Sequence, residues 1–347
     1  MATNDVFTRL SSGGSLCFGE ILVRLATPDH RLLSQSPSLD VVVGGAEANV
    51  AVGLATLGRN VRMASRLPAN PLGDLALRAL RSHGVDCRGI ALSEIGRMGL
   101  YFVETGTGLR ASRIVYDRKG SSFALSPAAD YDWSELFDGI SHLHLSGITP
   151  ALCYGTAEAA IHAAQAARAR NIVVSFDGNY RSLLWDERGI DPRPILADLF
   201  SLADIAFANH RDVSLLLGRT YAGDGPARRR QAAEAAFSVF PNLQLMASTA
   251  RRVEEADRQF IAARIDTRDD EAQTDEVLIS SIVDRIGTGD AFATGVLYAL
   301  ANDRDIAQAA RSGLALAALK HGIAGDFCLV TPAQLDGFLA GDVDVQR

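Results

Sequence analysis

Apolar and polar positions follow two alternating patterns through the middle and C-terminal parts of the chain. Longer segments with helical spacing cover 157–170, 195–202 and 227–240, and each is followed by a short apolar run, at 172–176, 205–208 and 243–247. A repeated order of helix and strand predicts parallel strands joined by right-handed crossovers. The chain is therefore predicted to be a doubly wound α/β protein, with a mostly parallel sheet covered by helices on both faces. Ligands bind such sheets at the carboxyl ends of the strands.

The region from 99 to 126 has a different period. Tyr101, Phe102 and Val103 alternate as in a strand, a turn follows at 106–108, and a second strand-like run covers 114–116. A hairpin fits poorly into a doubly wound core. We therefore predict a small β-sheet lid over the ligand-binding edge, formed from about 32–43 and 99–126.

The chain has 347 residues, of which 48% are hydrophobic, and this is enough for one large domain. Residues 1–14 are mostly polar and are expected to form a flexible leader without the apolar core of a signal peptide. This single domain would then cover 15–340, and residues 341–347 would form a tail.

The formal net charge of -7 disfavours a nucleic-acid or anionic-membrane surface. No apolar run approaches the length of a membrane span. Cys17, Cys87, Cys153 and Cys328 lie far apart in the sequence, which favours reduced thiols over a zinc site or a disulfide framework. These features indicate a cytoplasmic protein.

A glycine-rich turn at 284–292 is the most informative motif. It follows a strand-like run at 277–279 and opens a helix-competent run at 291–301, so free backbone N–H groups of a helix start would face a ligand on the turn. A phosphate fits there. Asp290 is suited to accept a proton from an alcohol that attacks the phosphate. The same four residues, Gly-Thr-Gly-Asp, also suit an ordinary strand-to-helix turn with an N-terminal cap.

Two further clusters lie where this architecture places ligand contacts. Gly44 and Gly45 precede an apolar helix and would let a ligand approach the backbone closely, although they also suit a plain turn. Asp177, Asn179 and Arg181 follow the strand at 172–176 and would line its carboxyl edge. The arginine suits a carboxylate or a phosphate, and it equally suits a salt bridge within the loop.

The predicted lid carries a third cluster. Tyr116 and Arg118 flank Asp117 and therefore alternate to one face of a strand. They would offer a hydroxyl and a guanidinium to a ligand beneath the lid. Alternatively, Arg118 is a solvated strand residue.

Together these motifs resemble those of the ribokinase-like carbohydrate kinase family, from about Leu16 to Pro332. The N-terminal motif is Gly44-Gly45-Ala46 with Asn49 and Ala51, and the C-terminal motif is the turn at 284–292, where the family usually has Gly-Ala-Gly-Asp. Within the family the chain is most similar to the 2-keto-3-deoxygluconate kinases. That similarity is carried by the runs at 99–101, 116–121, 144–150, 177–181 and 184–185.

The resemblance implies a ribokinase-like kinase that transfers the ATP γ-phosphoryl group to the terminal 6-hydroxyl of 2-keto-3-deoxygluconate, with Mg²⁺ on the phosphates. It makes Asp290 the catalytic base and makes Gly287, Thr288 and Gly289 the turn that stabilises the transferred group. The implied substrate contacts are Gly44, Gly45, Asn49, Tyr101, Tyr116, Arg118, Asp177, Asn179 and Arg181. The implied nucleotide contacts are Asn209, Ser248, Thr249, Arg251, Gly287 and Gly289.

The chain departs from the commoner family pattern at two places. Many relatives have Asn-x-x-Glu where this chain has Asn209-His210-Arg211-Asp212, so Asp212 would meet the metal through water. Many have Lys-x-Gly-x-x-Gly where this chain has the run 246–253. A Gly-x-x-x-x-Gly-Lys phosphate loop does not occur in the sequence.

The resemblance also implies a homo-oligomer, with a dimer through the lid, and it leaves a monovalent-cation requirement open. Three alternatives to the named substrate and activity remain. The chain could be a kinase of a neutral sugar such as fructose, a kinase of a different keto-deoxy acid, or a sugar or nucleotide sensor that keeps the fold without catalysis.

Overall fold

The structure is a computed structural model that describes residues 3–222, 225–255 and 257–341, with only the backbone of residues 3–5. The predicted tail lies outside the described residues except for Gly341. Residues 3–11 differ from the flexible leader that the sequence predicted. They form a helix, α1 (Thr3–Ser11), because Val6 and Leu10 bury their side chains against the core. The first strand begins at Gly14.

Fourteen strands in the described part of the chain form two sheets. In chain order the strands are β1 (Gly14–Phe18), β2 (Leu22–Ala26), β3 (Asp40–Gly44), β4 (Val61–Pro68), β5 (Asp86–Ser93), β6 (Gly99–Glu104), β7 (Arg113–Asp117), β8 (Ile140–Ser146), β9 (Val173–Asp177), β10 (Ile205–Phe207), β11 (Leu245–Glu255), β12 (Arg258–Thr267), β13 (Glu271–Gln273) and β14 (Val277–Ser280).

The large sheet confirms the predicted mostly parallel arrangement. Its strand order is β13-β12-β11-β10-β9-β8-β1-β4-β5, with β14 also paired to β12. All pairs from β5 through β11 are parallel, whereas β12 pairs antiparallel with β11, β13 and β14. The register aligns Ser146, Asp177, Phe207 and Ala247 in one row across β8 to β11. The residues after this row therefore gather at one edge of the sheet.

Helices cover both faces of the large sheet, as predicted. Adjacent residues of one strand divide between the two sides: Val173 packs in the core that α2, α3, α11 and α12 share, and Val174 packs in the core on the other side. Among the described residues, none of the helices has the length and apolarity needed to cross a membrane. The remaining helices are α2 (Ala46–Thr56), α3 (Pro71–Ser82), α4 (Trp133–Leu136), α5 (Ile148–Leu152), α6 (Tyr154–Arg168), α7 (Ser182–Arg188), α8 (Arg193–Leu202), α9 (His210–Leu217), α10 (Gly225–Val239), α11 (Thr288–Leu300), α12 (Ile306–Lys320) and α13 (Pro332–Ala340).

The small sheet has the strand order β3-β2-β6-β7. Its bounds differ from the prediction in two ways. The strand β2 belongs to the sheet although it was not predicted there, and within the predicted stretch 32–43 the strand β3 begins only at Asp40 and ends at Gly44. Residues 118–126 form turns after β7. The register aligns Arg24 with Tyr101 and Tyr101 with Tyr116, so these side chains share one face. We call this the inner face of the lid, since Tyr101 and Tyr116 pack there with Ile286 of the glycine-rich turn.

Candidate active site

A cavity of about 850 Å³ opens at the carboxyl edge of β9, β10 and β11. It brings together most of the residues that the sequence placed after strand ends and in the nucleotide region. Those that line it are Asp177, Asn179, Arg181, Asn209, Asp212, Ser248, Thr249, Arg251 and Gly289. The strand predicted over 243–247 is longer in the structure, because β11 continues to Glu255 and supplies the cavity wall at 248–253.

The glycine-rich turn closes one end of this cavity. Gly287 is the N-cap of α11 and has a φ of 80°, a conformation that favours glycine. A Cβ on Gly287 would lie 2.0 Å from the backbone oxygen of Asp326, whereas a Cβ on Gly289 would meet no heavy atom within 4 Å. The hydroxyl of Thr288 donates to the carbonyl of Arg285 over 3.0 Å. The start of α11 therefore faces open space, with backbone N–H groups that an anion can accept.

Asp290 lies in the first turn of α11 and is half-buried. Its Oδ2 accepts a 2.6 Å hydrogen bond from Nδ2 of Asn49, a residue of α2. Burial raises the pKa of Asp290 to about 7; the charges of Asp326 and Glu47 raise it further, while Asn49 and Arg181 oppose the rise. A carboxylate with that pKa is a base at neutral pH and holds a proton once it has accepted one.

Asp177 and Asp212 are two acidic residues of the cavity wall. Oδ1 of Asp177 accepts from the backbone N–H of Asn179 over 3.0 Å, and Oδ2 of Asp212 accepts from that of Asn209 over 2.8 Å. Burial raises the pKa of Asp177 to about 8, and the carboxylates of Asp290 and Asp212 add to the rise. Two carboxylates held together in this way fit a divalent cation.

The described residues do not form a complete protein cage for such a cation. Within residues 3–222, 225–255 and 257–341, no group of three or more His, Cys, Asp or Glu side chains could hold a metal ion. Mg²⁺ typically uses one or two carboxylates and takes its other oxygens from substrate phosphates and water. The pair Asp177 and Asp212 is compatible with that arrangement.

The glycines before α2 lie beside the glycine-rich turn. Gly45 has a φ of 139°, and a Cβ on it would lie 2.3 Å from the backbone oxygen of Glu20. A Cβ on Gly44 would lie 1.9 Å from Oδ2 of Asp326. These close contacts require glycine, and they let α2 begin where Asn49 reaches Asp290.

The inner face of the lid carries a buried charge network that the sequence did not predict. Arg24 pairs with Asp284 at 2.6 Å and with Asp326 at 3.2 Å. The hydroxyl of Tyr101 donates to Oδ2 of Asp326, and the ring of Tyr116 lies 6.2 Å from that of Tyr101. Burial raises the pKa of Asp326 to about 6, although Arg24 and Tyr101 oppose the rise. The network joins the lid to the glycine-rich turn.

The two arginines predicted to meet an acidic substrate differ in their surroundings. Arg118 is 5% exposed, and its Nε donates a 2.6 Å hydrogen bond to Oε2 of Glu20, which compensates its charge. Arg181 is exposed in the cavity and makes no ion pair in the described part of the chain. Of the two, Arg181 has the charge available for a ligand.

Sequence reasoning missed several residues of the site. Arg24 and Asp326 carried a weak signal, since an arginine in an apolar run and an aspartate in a Gly-Asp turn after a helix both suggest buried pairing. Glu47 is buried in the first turn of α2, where its Oε1 accepts hydrogen bonds from the hydroxyls of Ser146 and Thr149 at 2.8 Å each. Its partners are about a hundred residues away, so the sequence held no local signal for them.

The known proteins that this chain resembles include sugar-acid kinases. The family model described as pfkB family carbohydrate kinase matches residues 14–325. The 2-dehydro-3-deoxygalactonokinase of Haloferax volcanii is 30% identical over 339 residues, which cover 95% of this chain and 98% of that protein. The 2-dehydro-3-deoxygluconokinase of Bacillus subtilis is 26% identical over 335 residues, covering 96% and 97%. The solved structure of 2-dehydro-3-deoxygluconokinase from Thermotoga maritima is 33% identical with a TM-score of 0.90, covering 95% of this chain and 100% of that chain.

Proposed function

The chain belongs to the pfkB family of carbohydrate kinases, and on that premise we propose that it phosphorylates the 6-hydroxyl of 2-keto-3-deoxygluconate with ATP. The same compound is the 2-dehydro-3-deoxygluconate of the relatives' names. At the coarser level the chain is a sugar kinase of the 2-dehydro-3-deoxygluconokinase type. The observation that carries the proposal is the position of Asp290, a base hydrogen-bonded to Asn49 beside the open start of α11.

In the proposed mechanism, Asp290 accepts the proton of the 6-hydroxyl while its oxygen attacks the γ-phosphorus of ATP. An O–P bond forms to the sugar, the bond from the γ-phosphorus to the β-phosphate oxygen breaks, and ADP leaves. The N–H groups of Gly287, Thr288 and Gly289 stabilise negative charge on the transferred group. In place of the substrate contact that the resemblance implied, Asp177 would hold Mg²⁺ together with Asp212, and the ion would supply positive charge to the phosphates.

We assign the keto acid to the space between the inner face of the lid and the start of α2. Gly44 and Gly45 let it approach the backbone, and Tyr101 and Tyr116 offer hydroxyls. Arg181 is the proposed partner of the carboxylate, since it makes no ion pair in the described part of the chain, whereas Arg118 is paired with Glu20. In this proposal Asn49 acts chiefly on Asp290. The nucleotide is contacted by Asn209, Ser248, Thr249 and Arg251.

A second candidate substrate is 2-keto-3-deoxygalactonate. The relative from Haloferax volcanii, at 30% identity over nearly the whole chain, bears that activity in its name. The two acids differ in the configuration of a hydroxyl, and the proposed carboxylate and 6-hydroxyl contacts serve both. Activity on both acids is therefore compatible with the proposed site.

We further propose that the protein is a cytoplasmic homodimer joined through the outer face of the lid. The register aligns Val41, Leu25, Phe102 and Val115 as an apolar row across all four strands on that face. Val41 is 54% exposed and Val115 is 41% exposed. An exposed apolar row of this kind suits a second copy of the lid. All four cysteines are free thiols, which suits a reducing compartment that supplies ATP.

The proposed function is tested by an ADP-release assay of the purified protein on 2-keto-3-deoxygluconate, 2-keto-3-deoxygalactonate and fructose, with NMR of the product. We expect turnover of a keto-deoxy acid and a phosphorus coupling to the protons on C6. The Asp290→Asn variant is the control, and its turnover should fall by about 10²–10⁴-fold. Turnover confined to fructose, or a product phosphorylated at another carbon, would contradict the proposal.

A further inference from the structure

Five arginines line the cavity. In the described part of the chain no ion pair joins Arg181, Arg211, Arg228, Arg229 or Arg251 to a carboxylate, although all five lie in the cavity wall. The chain as a whole has a formal net charge of -7, so this concentration of positive charge is local. The same wall also holds Asp177 and Asp212, so the arginines exceed the carboxylates, and a cleft with an excess of positive charge attracts an anion.

Two of these arginines lie near the start of α10. Arg229 is 9% exposed, and its Nη1 is buried without a hydrogen-bond partner among the described residues. Nε of the neighbouring Arg228 is likewise buried with no partner in the described ranges. Burial and the charges of Arg264 and Arg228 lower the pKa of Arg229, which shows that its surroundings disfavour an isolated cation. Buried guanidinium donors without acceptors cost stability, and an anion with several oxygens would satisfy them.

A ring nitrogen of His210 adds to the same group of donors. Its Nδ1 is buried and has no hydrogen-bond partner within the described part of the chain, and burial together with the charges of Arg228 and Arg211 lowers the pKa of the ring. The neutral ring can donate from one nitrogen, so it is compatible with an anionic oxygen at this place. His210 also begins α9 directly after Asn209, another residue of the cavity wall.

We propose that Arg228 and Arg229 bind the phosphate chain of the donor nucleotide. Guanidinium groups form paired, charge-assisted hydrogen bonds to phosphate oxygens, and a nucleoside triphosphate presents several such oxygens in a row. The inference rests on the proposed function in one respect, namely that the cavity is the nucleotide site.

The surroundings of the two arginines separate this role from recognition of the sugar acid. The charges that act on Arg229 come from Arg228, Arg264 and Asp266, none of which belongs to the lid. Arg181, by contrast, acts on the pKa of Asp290. In addition, α10 packs against α9, which begins directly after Asn209, and against β12, which pairs with the β11 segment that carries Ser248 and Thr249.

Arg230 provides a matched control on the same turn. Its Nε donates to Oε1 of Glu234 over 2.8 Å, and its Nη1 donates to the carbonyl of Thr267 over 2.9 Å. It does not line the cavity. Arg230→Gln thus removes one positive charge from α10 without removing a proposed phosphate contact.

The test is equilibrium binding of ATP and of adenosine to the full chain by calorimetry, in the absence of any sugar. Arg228→Gln and Arg229→Gln should each weaken ATP binding by about 10-fold or more and leave adenosine binding unchanged, because only the phosphate contacts are lost. Arg230→Gln should leave both affinities unchanged. Arg229→Lys keeps a charge at the more buried position, and it should bind ATP more tightly than Arg229→Gln.

Several results would overturn the inference. They are unchanged ATP affinity in folded Arg228→Gln, equal losses of ATP and adenosine affinity, or an ATP loss in Arg230→Gln as large as in Arg228→Gln. Weakened binding of 2-keto-3-deoxygluconate with unchanged ATP binding would also overturn it, by assigning the arginines to the sugar acid. Failure of the proposed function is distinguishable: ATP binding that depends on Arg228, in a protein that phosphorylates no keto-deoxy acid, would refute the substrate and uphold this inference.

Discussion

The hydrogen bond from Asn49 to Asp290 should set the pH at which the kinase becomes active. Nδ2 of Asn49 lies 2.6 Å from Oδ2 of Asp290, and this bond opposes the rise of the aspartate's pKa to about 7. Replacing Asn49 by leucine keeps the volume of the side chain and removes the donor. A group that favoured the ionised carboxylate is then lost, so the pKa of Asp290 should rise.

The size of the shift follows from the strength of the bond. A hydrogen bond to a charged group contributes about 1.5–3 kcal/mol, and one pKa unit corresponds to about 1.4 kcal/mol, so the shift should be roughly one to two units. Asp290 would then ionise between about pH 8 and about pH 9 in Asn49→Leu. Near pH 7 the ionised fraction should fall by roughly 5- to 50-fold, and it should recover at higher pH.

The assay is kcat/KM for the sugar acid from about pH 5.5 to about pH 9.5, with wild type and Asn49→Leu compared at saturating ATP. The acid limb of the variant should move to higher pH while the plateau is largely retained. Asn70→Leu is the control, because Asn70 caps α3 away from the cavity and its loss should lower stability without moving the limb. A uniform loss of activity at every pH, with the limb unmoved, would refute the reasoning and return Asn49 to a substrate-binding role.

Two further predictions concern the turn and the acidic pair. Gly289→Val should fold normally, because a Cβ there meets no heavy atom within 4 Å, yet it should abolish most turnover by filling the space for the phosphate; normal activity and ATP affinity would make the turn merely structural. Burial raises the pKa of Asp177 in the folded protein to about 8, from its ordinary value of 3.8. The protonated side chain therefore favours the folded state, and this contribution to stability is fully present below about pH 4 and is lost as the pH rises through about 8. Asp177→Asn should therefore have a higher Tm than wild type at about pH 8.5, with the difference shrinking towards about pH 4, and a lower Tm of the variant at high pH would contradict the raised pKa.

Much of the fold could be predicted because its sheet is buried on both faces. The helical segment predicted over 157–170 is α6 (Tyr154–Arg168), and the strand predicted over 172–176 is β9 (Val173–Asp177). Apolar runs of this kind are set by local periodicity, which one sequence contains. The place of β2 in the lid could not be predicted, since it depends on pairing with β3 and β6 far along the chain.

The residues of the candidate site likewise fall into a group that the sequence could predict and a group that it could not. Residues that follow strand ends, such as Asp177 and Asn209, were predictable because parallel strands bring their carboxyl ends to one edge. The contact of Asn49 with Asp290 joins residues 241 positions apart, and nothing local announces it. Arg118 was predicted as a free cation for the same reason, because its partner Glu20 is 98 positions away.

The most direct test of the account is whether the kinase selects an acid through Arg181. The measurement is kcat/KM for 2-keto-3-deoxygluconate and for fructose, in wild type and in Arg181→Met, together with the ATP affinity of each. Wild type should prefer the acid, and Arg181→Met should lower kcat/KM for the acid by roughly 10- to 150-fold while leaving the fructose value and ATP binding unchanged. Equal efficiency of wild type on fructose and the keto acid, or an unchanged kcat/KM of Arg181→Met on the acid, would contradict the assignment of an acid-sugar kinase.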